Sequence, residues 1–128
     1  MRLTQLLNAL AEGLSATRGR CQAEMTPDDY RKIALSSTQL FVASVAGAPG
    51  RVDVYTLPIT AASVPAFSMT NVNTPEAMAM DSSGNLYVGN LTDATIRVFA
   101  PPFSASSTPT TTLTLTGTFA LFGIAVGK

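Results

Sequence analysis

Side chains able to move a proton, hold a metal ion or attack a carbonyl are scarce in this chain. Eight acidic and eight basic residues are spread over 128 positions, with one cysteine and no histidine. The missing imidazole removes Ser-His-Asp and Cys-His catalysis and the commonest zinc ligand. Cys21 has no second cysteine to pair with and only Arg18 and Arg20 as near cations. It reads as a free thiol in a leader segment, not as a nucleophile. No Gly-rich phosphate loop, Cys/His metal spacing or nucleophile elbow occurs.

The remaining charges have structural readings. Asp81 opens "DSSGN" (81–85), where a carboxylate accepts hydrogen bonds from turn amides and Gly84 supplies a positive φ. A substrate-contacting role for Asp81 fits that position less well. Asp93 in "NLTDAT" reads as a second turn residue. Arg51, Asp53 and Arg97 fall on strand-like runs near a rim, where a surface ion pair contributes about 0–1 kcal/mol. Glu76 reads as a solvated carboxylate at a loop end. Asn90-Leu91-Thr92 matches the N-glycosylation sequon, which has meaning only in a secreted eukaryotic protein. Tyr55, Tyr87 and the phenylalanines are spaced as core, with no stacking platform. The net charge is zero, so there is no concentrated positive field for nucleic acid. No run approaches the ~20 apolar residues of a membrane span. "MRLTQLLNALAEGLSA" is a poor signal peptide because Gln5, Asn8 and Glu12 interrupt it, and the Arg-Gly-Arg before Cys21 is no lipoprotein box. The sequence names no compartment.

Two regions must position these residues. Residues 1–32 carry nine of the sixteen charges, a composition shift that marks a boundary near residue 30. In the first region Leu3, Leu6, Leu7, Leu10 and Leu14 follow one helix face. The stripe reads as a helix packed on the rest of the fold, because its polar face lacks the Lys/Arg richness of interfacial helices. Residues 15–25 read as linker. Thr26, Pro27, Asp28 and Asp29 offer a cap, a first-turn proline and acids for the start of a second, short helix.

The second region is strand-like and repeats. "IAL" (33–35), "MAM" (78–80) and "IAV" (124–126) recur 45 and then 46 residues apart. "SSTQLFVAS" (36–44) answers "DSSGNLYVGN" (81–90), "RVDVYTLP" (51–58) answers "TIRVFAPP" (95–102), and "AFSMT" (66–70) answers "TLTLT" (112–116). "NTPEA" (73–77) matches "FALFG" (119–123) loosely. Four strands therefore recur in one order, and a four-stranded unit of ~40–50 residues is the size of a propeller blade. Leu40-Phe41-Val42-Ala43 and Leu86-Tyr87-Val88-Gly89 do not alternate with polar residues. Strands sandwiched between neighbouring sheets bury both faces and need not alternate. The competing fold, a Thr/Ser-rich β-sandwich, has no reason to repeat internally.

"TPEAMAMDSSGNLYVGNLTDATIRVFAPP" (74–102) resembles an NHL-type or gluconolactonase-like six-bladed propeller repeat, through Pro75, Met78, Met80, Asp81, Gly84, Asn85, Leu86, Tyr87 and Val88. The resemblance implies an all-β chain of propeller blades, two four-stranded antiparallel sheets in an incomplete ring, with a short helical N-terminal segment. The expected units are 1–30 as helix and linker, 31–77 and 78–123 as blades, and 124–128 as the first strand of a truncated third blade. It also implies an ion: such propellers hold a divalent cation on the ring axis, and Glu76 stands in the matching place. One repeat back that place is Arg31 and one repeat on it is Phe122, so further ligands must come from other blades or other copies. No other cofactor is expected. Two blades do not close a ring, and each unit of a repeat stack buries its face only on a neighbour. The chain is thus expected to be a piece of a longer propeller, to self-associate through open blade faces, or to cap one face with its N-terminal helix. The expected function is a non-catalytic binding or scaffold module, with a remnant of a gluconolactonase-like metal-dependent hydrolase as the alternative.

Overall fold

The computed structural model describes residues 30–117 and 123–127. Eight strands form there: β1 (Tyr30–Leu35), β2 (Gln39–Ser44), β3 (Arg51–Thr56), β4 (Phe67–Met69), β5 (Pro75–Met80), β6 (Leu86–Asn90), β7 (Thr95–Phe99) and β8 (Thr111–Thr114). They make two four-stranded antiparallel sheets, each a meander in chain order, β1-β2-β3-β4 and β5-β6-β7-β8. The described residues are all-β, with no helix. The leucine-striped helix expected over 3–14 lies outside them, as do Thr26–Asp29. The helix start read at Thr26 cannot run on, because Tyr30–Leu35 is strand.

The two sheets share one register. Met78 takes the place of Ile33, 45 residues on; Val88 that of Val42, 46 on; Ile96 that of Val52, 44 on; and Leu113 that of Met69, 44 on. Even an irregularity recurs. The β1–β2 ladder shifts between Tyr30 and Lys32, and the β5–β6 ladder shifts between Pro75 and Ala77. Each is a bulge one residue long, which bends a strand; Arg31 and Glu76 are the extra residues.

Register also corrects two sequence matches. "AFSMT" pairs in position with residues 110–114, two residues ahead of the expected 112–116, because Leu113 and not Leu115 lies opposite Ile96. The reason is the preceding loop. Thr60 N–H donates to Ser63 Oγ (2.8 Å) and Ser63 N–H to Thr60 O (3.0 Å). Ser104 N–H to Ser107 Oγ (2.8 Å) and Ser107 N–H to Ser104 O (3.1 Å) repeat this 44 residues on. Equal loops deliver equal strands. Second, β5 begins at Pro75, so the change of sheet falls within 70–74, ahead of the 77/78 boundary. Of residues 124–128, where the first strand of a third unit is expected, the described residues 124–127 carry no strand.

The first hairpin closes one residue sooner than the second, and a hydroxyl replaces a carboxylate. Ser36 Oγ accepts the N–H of Gln39 at 2.9 Å and of Thr38 at 3.3 Å. Asp81 Oδ1 accepts the N–H groups of Ser83 and Asn85, both at 2.9 Å, and Gly84 has the expected positive φ of 83°.

Alternation along the strands sorts the core. Phe41, Ala43, Val52, Val54 and Met69 on the first sheet share one buried cluster with Met78, Leu86, Val88 and Phe99 on the second. The sheets therefore pack face to face, with β1 and β5 adjacent. Leu40 and Val42 face away from the second sheet yet are also buried, within a second cluster with Ile33, Leu35, Tyr55, Leu57 and Ile59. Both faces of β2 are thus covered, which is why its sequence does not alternate.

Candidate functional site

The loops 45–50, 70–74 and 91–94 gather at one end of the sheets, the end where Glu76 also lies. Thr74 N–H donates to Pro49 O at 2.6 Å and Leu91 N–H to Thr74 O at 3.0 Å. Thr74 thereby ties the linker to both sheets, and its hydroxyl pairs with that of Thr92 at 2.6 Å. Thr74 holds a left-handed φ of 54°, a backbone state that β-branched residues adopt only when their surroundings impose it.

Glu76 is half-buried at the β5 bulge. A divalent cation needs several oxygen ligands around it. Among the described residues no three of His, Cys, Asp and Glu come together in a way that could hold a metal ion. The position equivalent to Glu76 in the first sheet is a cation, Arg31. The described residues therefore do not by themselves assemble a divalent-metal centre around Glu76.

The other charged residues are held locally. Arg51 Nε donates to Asp53 Oδ1 at 2.8 Å, and Ser68 Oγ donates to the same oxygen at 2.5 Å. The Arg51–Asp53 pair exists, but it is not a surface pair: Asp53 is 3% exposed. A buried carboxylate is tolerated because two donors satisfy it. Arg97 pairs with Asp93, and its second nitrogen donates to Asn71 O at 2.9 Å. This arginine faces the first sheet, so it clasps the linker to the second sheet. The register place of Arg97 in the first sheet is that of Asp53.

Asn90 has no surface role. It is fully buried, accepts Asn73 N–H at 2.7 Å, and donates to Val88 O at 3.1 Å and Thr95 Oγ1 at 3.3 Å. The sequon reading fails on this burial, since a glycan acceptor must be exposed. Asp81 is held by Asn85 Nδ2 at 2.9 Å and Tyr87 Oη at 3.2 Å, besides the turn amides. The Asn85 side chain, then its backbone N–H, holds the Asp81 carboxyl below its ordinary pKa, and the same carboxylate raises that of Tyr87. That is turn chemistry, as the residue's position implied.

At the opposite end lies an open groove of about 420 Å³, lined by Ser36, Thr38, Gln39, Gly84, Pro101 and Phe103. It offers hydroxyls and an aromatic edge but no ionisable group. Sequence reading missed the residues that join the sheets, Asn71, Asn73, Thr74 and Phe103. The signal available was the doubled loop, "TAASVP" (60–65) against "SASSTP" (104–109); it fixes Phe103 at the repeat position of Ile59. No family model, curated protein or solved structure matches the chain.

Proposed function

We propose that the chain works as a scaffold or binding module built from two blades of β-propeller type, and not by catalysis. The observation that carries this reading is same-sense repetition. Two meanders with one register and one recurrent bulge stack so that the second meets the first with the face opposite to the one the first presents. Wedge-like units that stack in this way build repeat proteins, whose exposed loop ends and outer faces bind partners. The local use of Asp53, Asp81 and Asp93, each bonded to its own turn or strand neighbours, supports it further.

The test is a thermal melt in the presence of Ca²⁺ or Zn²⁺. A bound ion at a hundredfold excess over its Kd stabilises by about 2.7 kcal/mol, a rise on the order of 10 °C in a chain this small. The melting temperature is expected to be unchanged by either ion, in the wild type and in Glu76→Ala alike. A rise in the wild type that Glu76→Ala abolishes overturns the scaffold reading in favour of a metal-dependent, gluconolactonase-like hydrolase.

A further inference from the structure

We infer that the leucine-striped N-terminal segment, Leu3–Leu14, lies across the outer face of the first sheet and caps that end of the two-sheet stack. The inference rests on the scaffold reading and gives that scaffold one closed end.

The outer face of the first sheet is covered, and its own strands do not cover it. Leu40 is 0% and Val42 2% exposed, and Asp53, paired across the ladder with Val42, is 3% exposed. Of the apolar residues packed on Leu40 and Val42, Ile33, Leu35 and Tyr55 stand in the same sheet, while Leu57 and Ile59 come from the segment after β3. All five are themselves only half-buried. The second sheet occupies the opposite face of β2, against Phe41 and Ala43. Side chains in the middle of a sheet face are shut off from water when a further layer lies on them. Tyr55, on the same face, makes a further interaction of its own. The second sheet's outer face shows the contrast: Tyr87, Ile96 and Val98 are half-buried there and Leu113 is 54% exposed.

The N-terminal stripe fits this layer. Leu3, Leu6, Leu7, Leu10 and Leu14 fall on one face of a helix, and Gln5, Asn8 and Glu12 fall on the opposite one. A helix over these residues is about 17 Å long, enough to cross four strands set about 4.8 Å apart. Residues 15–29 join the stripe to Tyr30, the first residue of β1, which belongs to the first sheet. Fifteen residues reach at most about 50 Å, so the tether is ample. The other undescribed internal segment, 118–122, is short and follows β8 of the second sheet. Charge does not oppose the contact, because the stripe is uncharged and Asp53 is already paired with Arg51. Terminal units of stacked repeats need a cap with a polar outer side, and Gln5, Asn8 and Glu12 supply one.

Thiol labelling of the full chain tests this. In a Cys21→Ser background, a Val42→Cys thiol reports on the outer face and a Val88→Cys thiol on the space between the sheets. Both are expected to react slowly with a maleimide. Adding Leu7→Asp and Leu10→Asp is expected to speed labelling at Val42→Cys by about tenfold or more, through local opening, and to leave Val88→Cys slow. Labelling at Val42→Cys that the two aspartates do not change overturns the inference. Should they speed both thiols equally, the whole chain has unfolded and the wild type decides. Its Leu40 and Val42 methyls are expected to show NOEs to Leu6, Leu7 or Leu10. Absence of those NOEs overturns the inference, as do NOEs from the stripe to Val98 and Leu113, which would place it on the second sheet. The scaffold reading falls separately, on a Glu76-dependent metal shift.

Discussion

Phe41→Ala is expected to destabilise the protein by about 3–5 kcal/mol, the range for emptying a buried aromatic site. Phe41 is fully buried at the middle of β2, on the face that meets the second sheet. Its ring meets that of Phe103 edge to face, with centroids 5.0 Å apart and planes at 76°, and Phe103 comes from the loop that follows β7. The residue therefore joins the sheets as well as filling space. Small domains are stable by only ~5–15 kcal/mol, so this loss should leave a chain that unfolds at much lower urea. Urea melts followed by far-UV circular dichroism measure it. A cost under about 1 kcal/mol, outside the range for a buried aromatic, would show that the sheets do not meet at Phe41. Ala34, its cross-strand neighbour, is partly buried and small, and cannot fill the space.

Gly50→Ala is expected to be comparably severe for a different reason. Gly50 has φ of +93°, and a β-carbon there would lie 2.8 Å from Ser44 O and 2.8 Å from Pro75 Cδ. The backbone state costs an alanine about 1–3 kcal/mol, and overpacking adds roughly 1–3 kcal/mol. Neither neighbour can yield cheaply. Ser44 O is backbone at the end of β2, and Pro75 opens β5. The clash would thus press on the seam between the sheets, next to the Thr74 N–H to Pro49 O bond. Thermal unfolding should show a drop in melting temperature, whereas Gly47→Ala, whose β-carbon meets nothing within 4 Å, should show a smaller one. Equal drops for the two would remove the seam from the explanation.

Much of this fold was legible because strand chemistry is local. Both hairpin turns, the Val-rich runs of β3 and β7 and the lack of alternation in β2 and β6 all announce themselves in sequence. The register of β8 did not, because "TTTLTLT" (110–116) is degenerate: in a run of alternating threonine and leucine only the length of the preceding loop decides which leucine lies opposite Ile96. A lone aspartate between two valines fits a half-exposed strand, so the sequence pattern places Asp53 near a rim. Its burial depends on Ser68, fifteen residues away, a partner that no pattern within one strand reveals. Asn90 misled in the opposite sense. Its three-residue sequon is a surface signal, but its amide serves as the internal bracket for Asn73. The candidate site was the least legible part. Residues that could do chemistry are few, and the fold uses most of them to close turns and join sheets.

The central claim is that the two sheets stack in the same sense, each presenting opposite faces to front and back. Side-chain NOEs in an isotopically labelled chain test it most directly. The account predicts that Leu86 and Val88 show NOEs to Phe41, Val52 and Val54. NOEs from Leu86 and Val88 to Leu40 and Val42 instead would mean that the first sheet presents its other face, and would contradict it.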